Sequence, residues 1–112
     1  MAGNMPPRTG IRVPAEQMQE LVTQLYERAG MSASHAALMA RLLVQMDLRG
    51  VFSHGTRQTP GYIGLIEQGR VNPRPKVRVA SQTRTTRVLD GDGGMGHVVC
   101  YEGAVWAIEQ AR

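Results

Sequence analysis

The sequence predicts an α+β chain: an N-terminal helical hairpin plus a third helix, a short two-stranded β segment, and a C-terminal helix. Three observations lead there. Apolar residues recur at helical spacing in successive segments of the first seventy residues, each segment ending at a glycine. The spacing then changes to alternation and β-branched residues between Val77 and Leu89. A glycine-rich loop, Gly91 to Gly96, finally returns the pattern to helix.

Pro14 to Ala29 reads as an amphipathic helix. Met18, Leu21, Val22, Leu25, Tyr26 and Ala29 mark its core face, with Pro14 at the first helical position and Gly30 as the stop. Ser32 or Ser34 can cap a second helix running to about Leu48, with Leu38, Met39, Leu42, Leu43 and Met46 inward and Gly50 ending it. The short connection implies an antiparallel hairpin. A third helix starts near Ser53 or Thr59, holds Pro60 in its first turn, and ends at Gly69; Tyr62, Ile63, Leu65 and Ile66 are its apolar face.

Arg70 to Pro75 is an extended connector. Val77 and Val79, and then Thr85 to Leu89, read as two strands around a polar turn at Ser81 to Arg84. The last helix begins near His97 and carries Val98, Cys100, Tyr101, Ala104, Val105 and Ile108; no stop residue precedes Arg112. Two strands alone form a marginal sheet, so the pattern suggests a chain that expects more sequence. The expected organisation is a flexible arm over residues 1–13, a helical domain over 14–70, and over 71–112 the truncated start of an α/β cofactor- and substrate-binding domain.

Composition excludes several classes. The chain has 112 residues, 42% of them hydrophobic, and a net charge of +4. No apolar run approaches the ~20 residues of a membrane span, and the first ten residues lack the apolar core of a secretory signal. A membrane partner is not expected. Twelve of the thirteen basic residues are arginine, scattered from Arg8 to Arg112 without a dense cluster, so nucleic acid is not an expected partner. Arg74, Lys76 and Arg78 alternate and could share one strand face, as a weak phosphate patch or a solvated edge. The single Cys100 excludes an internal disulfide and a multi-cysteine metal site, and the cytoplasm is the default location. His35, His54 and His97 are too far apart in sequence to assert a metal site. Cys100 reads as a small buried hydrophobe, Trp106 as a packing residue, and His35 as a surface residue.

The most informative stretch runs from Asp47 to Tyr62, DLRGVFSHGTRQTPGY. Ser53, His54, Gly55 and Arg57 sit at a helix-to-helix turn. Histidine exchanges a proton near neutral pH, arginine clamps a carboxylate with paired hydrogen bonds, and glycine admits close approach of a ligand or backbone. The plainer alternative makes Ser53 a helix cap, with His54 and Arg57 as solvated first-turn residues. Separately, Gly91-Asp-Gly-Gly-Met-Gly96 matches Gly-x-Gly-x-x-Gly between a strand and a helix, the context of a small Rossmann-type nucleotide site. Asp90 and Asp92 place negative charge where phosphates would lie, and no later strand completes the unit.

The run Asp47-x-Arg49-Gly50-x-x-Ser53-His54-Gly55, with Tyr62 eight after the histidine, resembles the N-terminal motif of the type-2 malate/L-lactate dehydrogenase family. That family includes ureidoglycolate, sulfolactate and cyclic-imine oxidoreductases. Gly69, Val71-Asn72-Pro73-Arg74-Pro75, Leu89-Asp90-Gly91-Asp92, Gly94, Gly96 and Ala107-Ile108-Glu109-Gln110-Ala111 extend the likeness from about Pro14 to Arg112. The resemblance implies part of a larger non-Rossmann dehydrogenase fold that uses NAD or NADP. It implies hydride transfer to or from a small 2-oxo or 2-hydroxy acid, or a cyclic imino acid, in a homodimer.

On that resemblance, Ser53 and His54 face the nicotinamide and substrate in a supporting role, beside Gly55, and Arg57 holds the substrate carboxylate. Many members place that arginine four residues after the histidine, where this chain has Gln58. The one-residue difference is about 100° on a helical turn. The proton-transferring histidine of the family belongs to a later segment with no match here. The resemblance thus implies about the first third of a member, inactive alone. A non-catalytic helical interaction module is the other reading.

Overall fold

A computed structural model describes residues 4–6 and 8–112. Part of the expected N-terminal arm, residues 1–3 and 7, lies outside the described residues. The elements follow the expected order: α1 (Ala15–Arg28), α2 (Ala33–Leu48), α3 (Thr59–Glu67), β1 (Arg78–Gln82), β2 (Arg87–Asp90) and α4 (Gly96–Gln110).

Helix ends account for much of the fold. Gly30, Gly50 and Gly69 take left-handed φ of 104°, 76° and 69°, which glycine alone adopts without a Cβ penalty. Each sits just past a helix and closes a paired C-terminal turn. At α1, Met31 N–H donates to Tyr26 and Gly30 N–H to Glu27; at α2, Val51 donates to Met46 and Gly50 to Asp47; at α3, Arg70 donates to Leu65 and Gly69 to Ile66. The last carbonyls are thereby satisfied and the chain turns sharply. Ser32, rather than Ser34, caps α2, its Oγ accepting from His35 N–H at 3.3 Å. Pro14 lies one position outside α1, as its N-cap, and its carbonyl accepts the first helical bond, from Met18, at 3.0 Å.

α1 and α2 pack as the expected hairpin. The core joins Val22 and Tyr26 of α1, Met31 between the helices, Ala36, Met39, Ala40 and Leu43 of α2, Ile66 of α3, and Met95 and Val98 at the start of α4. The core thus draws residues from both sides of residue 70. The apolar face of α1 divides: Val22 and Tyr26 are buried, while Leu21 and Leu25 are 51% and 37% exposed.

β1 and β2 form an antiparallel hairpin, Arg78 opposite Asp90 and Gln82 opposite Arg87, with a bulge between Val79 and Ser81. Ser81 and Gln82 are thus strand. The turn is Thr83 to Thr86, closed by Thr83 N–H to the Thr86 carbonyl at 2.8 Å and by their paired hydroxyls. Arg74 does not share a strand face with Lys76 and Arg78; its Nε donates to the Gly30 carbonyl at 2.9 Å, tying the connector to the α1–α2 turn. Arg87 lies 4.5 Å above the Trp106 ring and anchors the hairpin to α4, a contact worth about 0.5–1 kcal/mol at an exposed site. Cys100 is exposed, not buried. α4 meets the core only through its first turn, so helical spacing along the rest of it overstates burial. Ile108, for example, is 56% exposed. No helix among the described residues is long and apolar enough to cross a membrane.

Candidate functional site

The segment between α2 and α3 is built from two short 3-10 turns, Phe52–His54 and Thr56–Gln58, hinged at Gly55. Asp47, in the last turn of α2, organises the second. Its Oδ2 accepts from the Thr56 N–H at 3.1 Å and from the Thr56 hydroxyl. Gly55 lies against that carboxylate: a Cβ there would overlap Asp47 Oδ1 and stand 2.6 Å from Asp47 Cγ. The missing Cβ at Gly55 lets the Asp47 side chain approach the backbone closely. Gln58 turns back, its Nε2 donating to the Ser53 carbonyl.

Ser53 does not cap a helix. Its N–H and hydroxyl both meet Asn4 Oδ1, at 3.1 and 2.6 Å, and its Oγ lies 2.8 Å from His54 Nδ1. His54 lines a groove of about 420 Å³ between α2 and α4, with Leu42, Leu43, Met46, Arg49 and His97. Arg57 lines a different and larger groove, about 860 Å³, whose walls include Leu21 and Leu25 of α1, Leu48 of α2 and Phe52. The turn thus places His54 and Arg57 in different grooves. Three-residue spacing on successive 3-10 turns interrupted by an extended glycine does not keep two side chains on one face, whatever each does alone.

His97 is the second residue of α4 and faces the His54 groove. Its ring meets Tyr62 edge-on, centroids 5.4 Å apart. Burial pushes its pKa below the ordinary imidazole value of 6.5, because desolvation penalises the cation. Deeper in the hairpin, Tyr26 is fully buried and its pKa is pushed up to about 12. Burial is the largest cause, opposed by the nearby Thr59 hydroxyl, with Tyr62 adding a smaller upward push. Among the described residues, neither the Tyr26 hydroxyl nor the Thr59 hydroxyl has a hydrogen-bond partner. His35 is half-buried rather than at the surface, with its Nδ1 buried and without a hydrogen-bond partner among the described residues.

Sequence reasoning misses three contributors. Asn4 lies in a glycine- and proline-containing arm and carries no sign of its role. Asp47 stands in the motif, nine residues before Thr56, but an aspartate closing a later turn leaves no periodic trace. His97 reads from sequence only as a helix-start residue; its proximity to His54 depends on α4 returning to α2.

The Gly91–Gly96 loop is occupied by its own packing. A Cβ at Gly91 would stand 2.8 Å from Val99 Cγ2, and one at Gly94 2.5 Å from Pro75 Cγ. Asp92 Oδ2 accepts from Lys76 N–H at 2.9 Å and from Asn72 Nδ2 at 3.2 Å, and Asn72 N–H donates to the Gly93 carbonyl at 2.9 Å. The preceding strand belongs to an antiparallel hairpin. These residues do not fit a pyrophosphate cradle. Among the described residues, no three His, Cys, Asp or Glu side chains cluster tightly enough to hold a metal ion.

The malate/L-lactate dehydrogenase family profile matches residues 13–112. The chain belongs to that family. Within the malate/L-lactate dehydrogenases, it is 36% identical over 102 residues to malate dehydrogenase of Pyrococcus horikoshii, covering 91% of this chain and 28% of the relative. It is 32% identical over 97 residues to L-sulfolactate dehydrogenase of Methanocaldococcus jannaschii, 87% of this chain and 28% of that one. It is 29% identical over 102 residues to the ureidoglycolate dehydrogenase (NAD(+)) of Escherichia coli K12, 91% and 29%. The solved malate dehydrogenase of Pyrococcus horikoshii OT3 superposes with a TM-score of 0.86 at 37% identity, over 90% of this chain and 29% of that chain. This member of the malate/L-lactate dehydrogenase family therefore spans a little under a third of the length of the relatives it matches, and its helices and hairpin are part of their larger fold.

Proposed function

We propose that these residues serve an NAD(P)-dependent dehydrogenase acting on a small 2-hydroxy or 2-oxo acid, or a cyclic imino acid, as a cytoplasmic homodimer. Residues 14–70 form its helical domain, and residues 71–112 open the cofactor- and substrate-binding domain. The reading is carried by one observation: in a chain of this family, the Ser53–His54 pair is held beside the α2–α4 groove. The relatives' names, malate, L-sulfolactate and ureidoglycolate dehydrogenase, share a 2-hydroxy acid chemistry.

The nicotinamide cofactor supplies the hydride chemistry when bound. The α2–α4 groove, walled by Leu42, Leu43 and Met46 with two imidazoles, is in the size range of small-ligand sites and fits a nicotinamide-sized ring. Its phosphates find no cradle in the Gly91–Gly96 loop. Ser53 and His54 bind and orient polar groups of cofactor and substrate. His54 acts in support, and the principal acid/base group comes from outside these 112 residues. Arg57, lining the other groove, meets a carboxylate only if the substrate reaches that side; on the family resemblance, Gln58 occupies the position of many members' substrate-binding arginine. This favours a substrate preference different from theirs.

The test is a screen of 2-oxo acids and cyclic imines with NADH and NADPH, on the polypeptide as its own cell makes it. Substrate-dependent oxidation of either cofactor, reduced at least tenfold in His54→Gln, is expected. The isolated 112-residue chain should show none. Turnover by that isolated chain would overturn the supporting role given to His54.

A further inference from the structure

Asn4 lies outside the family match, which begins at residue 13, yet it holds the best-placed polar pair of the site. Its role follows from counting donors. The Ser53 backbone N–H can only donate, and it meets the Asn4 side chain at 3.1 Å; the Asn4 atom there must be the carbonyl oxygen. That oxygen only accepts. The Ser53 hydroxyl, 2.6 Å from the same atom, therefore spends its single proton on Asn4. Ser53 Oγ has no proton left for His54 Nδ1 at 2.8 Å. In the neutral ring the proton must then sit on Nδ1, which donates to Ser53.

We propose that Asn4 is a positioning residue that sets the tautomer of His54 through Ser53. The relay Asn4 Oδ1, Ser53 Oγ–H, His54 Nδ1–H leaves Nε2 as the nitrogen with the lone pair. His54 then offers a hydrogen-bond acceptor, suited to the hydroxyl of a 2-hydroxy acid or to an amide N–H donor. Without Asn4 the Ser53 hydroxyl can rotate and donate to Nδ1, which would move the ring proton to Nε2 and turn the acceptor into a donor. The N-terminal arm thus decides which partner the site accepts. What the tautomer does for substrate rests on the proposed dehydrogenase function; the tautomer itself does not.

The experiment is two-bond proton–nitrogen correlation spectroscopy of the histidine rings in the 112-residue chain, at a pH where free imidazole is neutral, about 9. His54 signals are identified by their loss in His54→Gln. The wild-type chain should show the Nδ1–H pattern at His54. In Asn4→Ala the ratio of Nδ1–H to Nε2–H should fall about three- to tenfold, the worth of one modest hydrogen bond. Asn4→Asp keeps the acceptor and should restore the wild-type pattern. His35 and His97 signals should not change, which reports that the fold is intact. An Nε2–H pattern in the wild-type chain, or an unchanged ratio in Asn4→Ala, would overturn the proposal. Failure of the cofactor screen with the Nδ1–H pattern intact would instead remove the dehydrogenase reading and leave the relay standing.

Discussion

Gly55 and Asp47 are in contact through space that no other side chain can share: a methyl on Gly55 would overlap Asp47 Oδ1 and lie 2.6 Å from Asp47 Cγ. Gly55 separates Ser53 and His54 from Thr56 and Arg57 along the chain, and His54 and Arg57 line different grooves. Gly55→Ala should therefore destabilise the chain by about 2 kcal/mol or more, since overpacking must move either the carboxylate or the hinge. Urea midpoints measure this. Asp47→Ala alone should cost about 1–2 kcal/mol through the lost Thr56 bonds. In the double variant much of the Gly55→Ala penalty should vanish; strictly additive penalties would show that the clash is relieved elsewhere.

Tyr26 carries a buried hydroxyl with no partner among the described residues. Tyr26→Phe removes an unsatisfied polar group at constant shape, so stability near neutral pH should be unchanged or rise by up to about 1 kcal/mol. The raised pKa adds an alkaline dependence. The folded chain holds the neutral phenol up to about pH 12, while the unfolded chain ionises from 10.0. The neutral phenol's contribution is thus full below pH 10 and is lost as pH rises from there through 12. Thermal melts should fall across that window in the wild-type chain and fall less in Tyr26→Phe. Equal slopes would count against the burial assigned to Tyr26.

His97 acts in the acid direction. Its folded pKa lies below 6.5 because of burial. The unfolded chain therefore binds the proton first as pH falls, and the stability held above 6.5 is lost as pH drops through the folded value. His97→Gln should flatten that part of the profile, read from denaturation midpoints between neutral and mildly acidic pH. A ring titration of His97 at or above 6.5 would contradict the burial.

The glycine loop gives a contrast between packing and nucleotide binding. A Cβ on Gly94 would press on Pro75 and stand 3.1 Å from the Gly91 carbonyl oxygen, whereas one on Gly96 meets nothing within 4 Å. Gly94→Ala should cost about 1–3 kcal/mol. Gly96→Ala, at the first turn of α4, should be neutral or stabilise by about 0.5–1 kcal/mol. A dinucleotide fingerprint would reverse the second result, because its last glycine is needed for close helix–strand packing. Thermal melts of the two variants decide.

Local chemistry written in consecutive residues was legible in the sequence. The three helix stops follow from Gly30, Gly50 and Gly69, since a left-handed C-terminal turn is a property of a single residue. The order of helices, the hairpin and the Ser53-His54-Gly55 turn follow from spacing. What depends on distant partners was not legible. Leu21 and Val22 are adjacent on one apolar stripe, yet only Val22 is buried, because helix rotation is set by packing and not by hydropathy. Cys100, on the same helix as the buried Val98, is exposed because only the first turn of α4 reaches the core. His54 and His97 share a groove because α4 returns to α2, and His54 and Arg57 part because Gly55 must extend around Asp47. Side-chain direction at a hinge is decided by through-space contacts, and those exist only once the helices have packed.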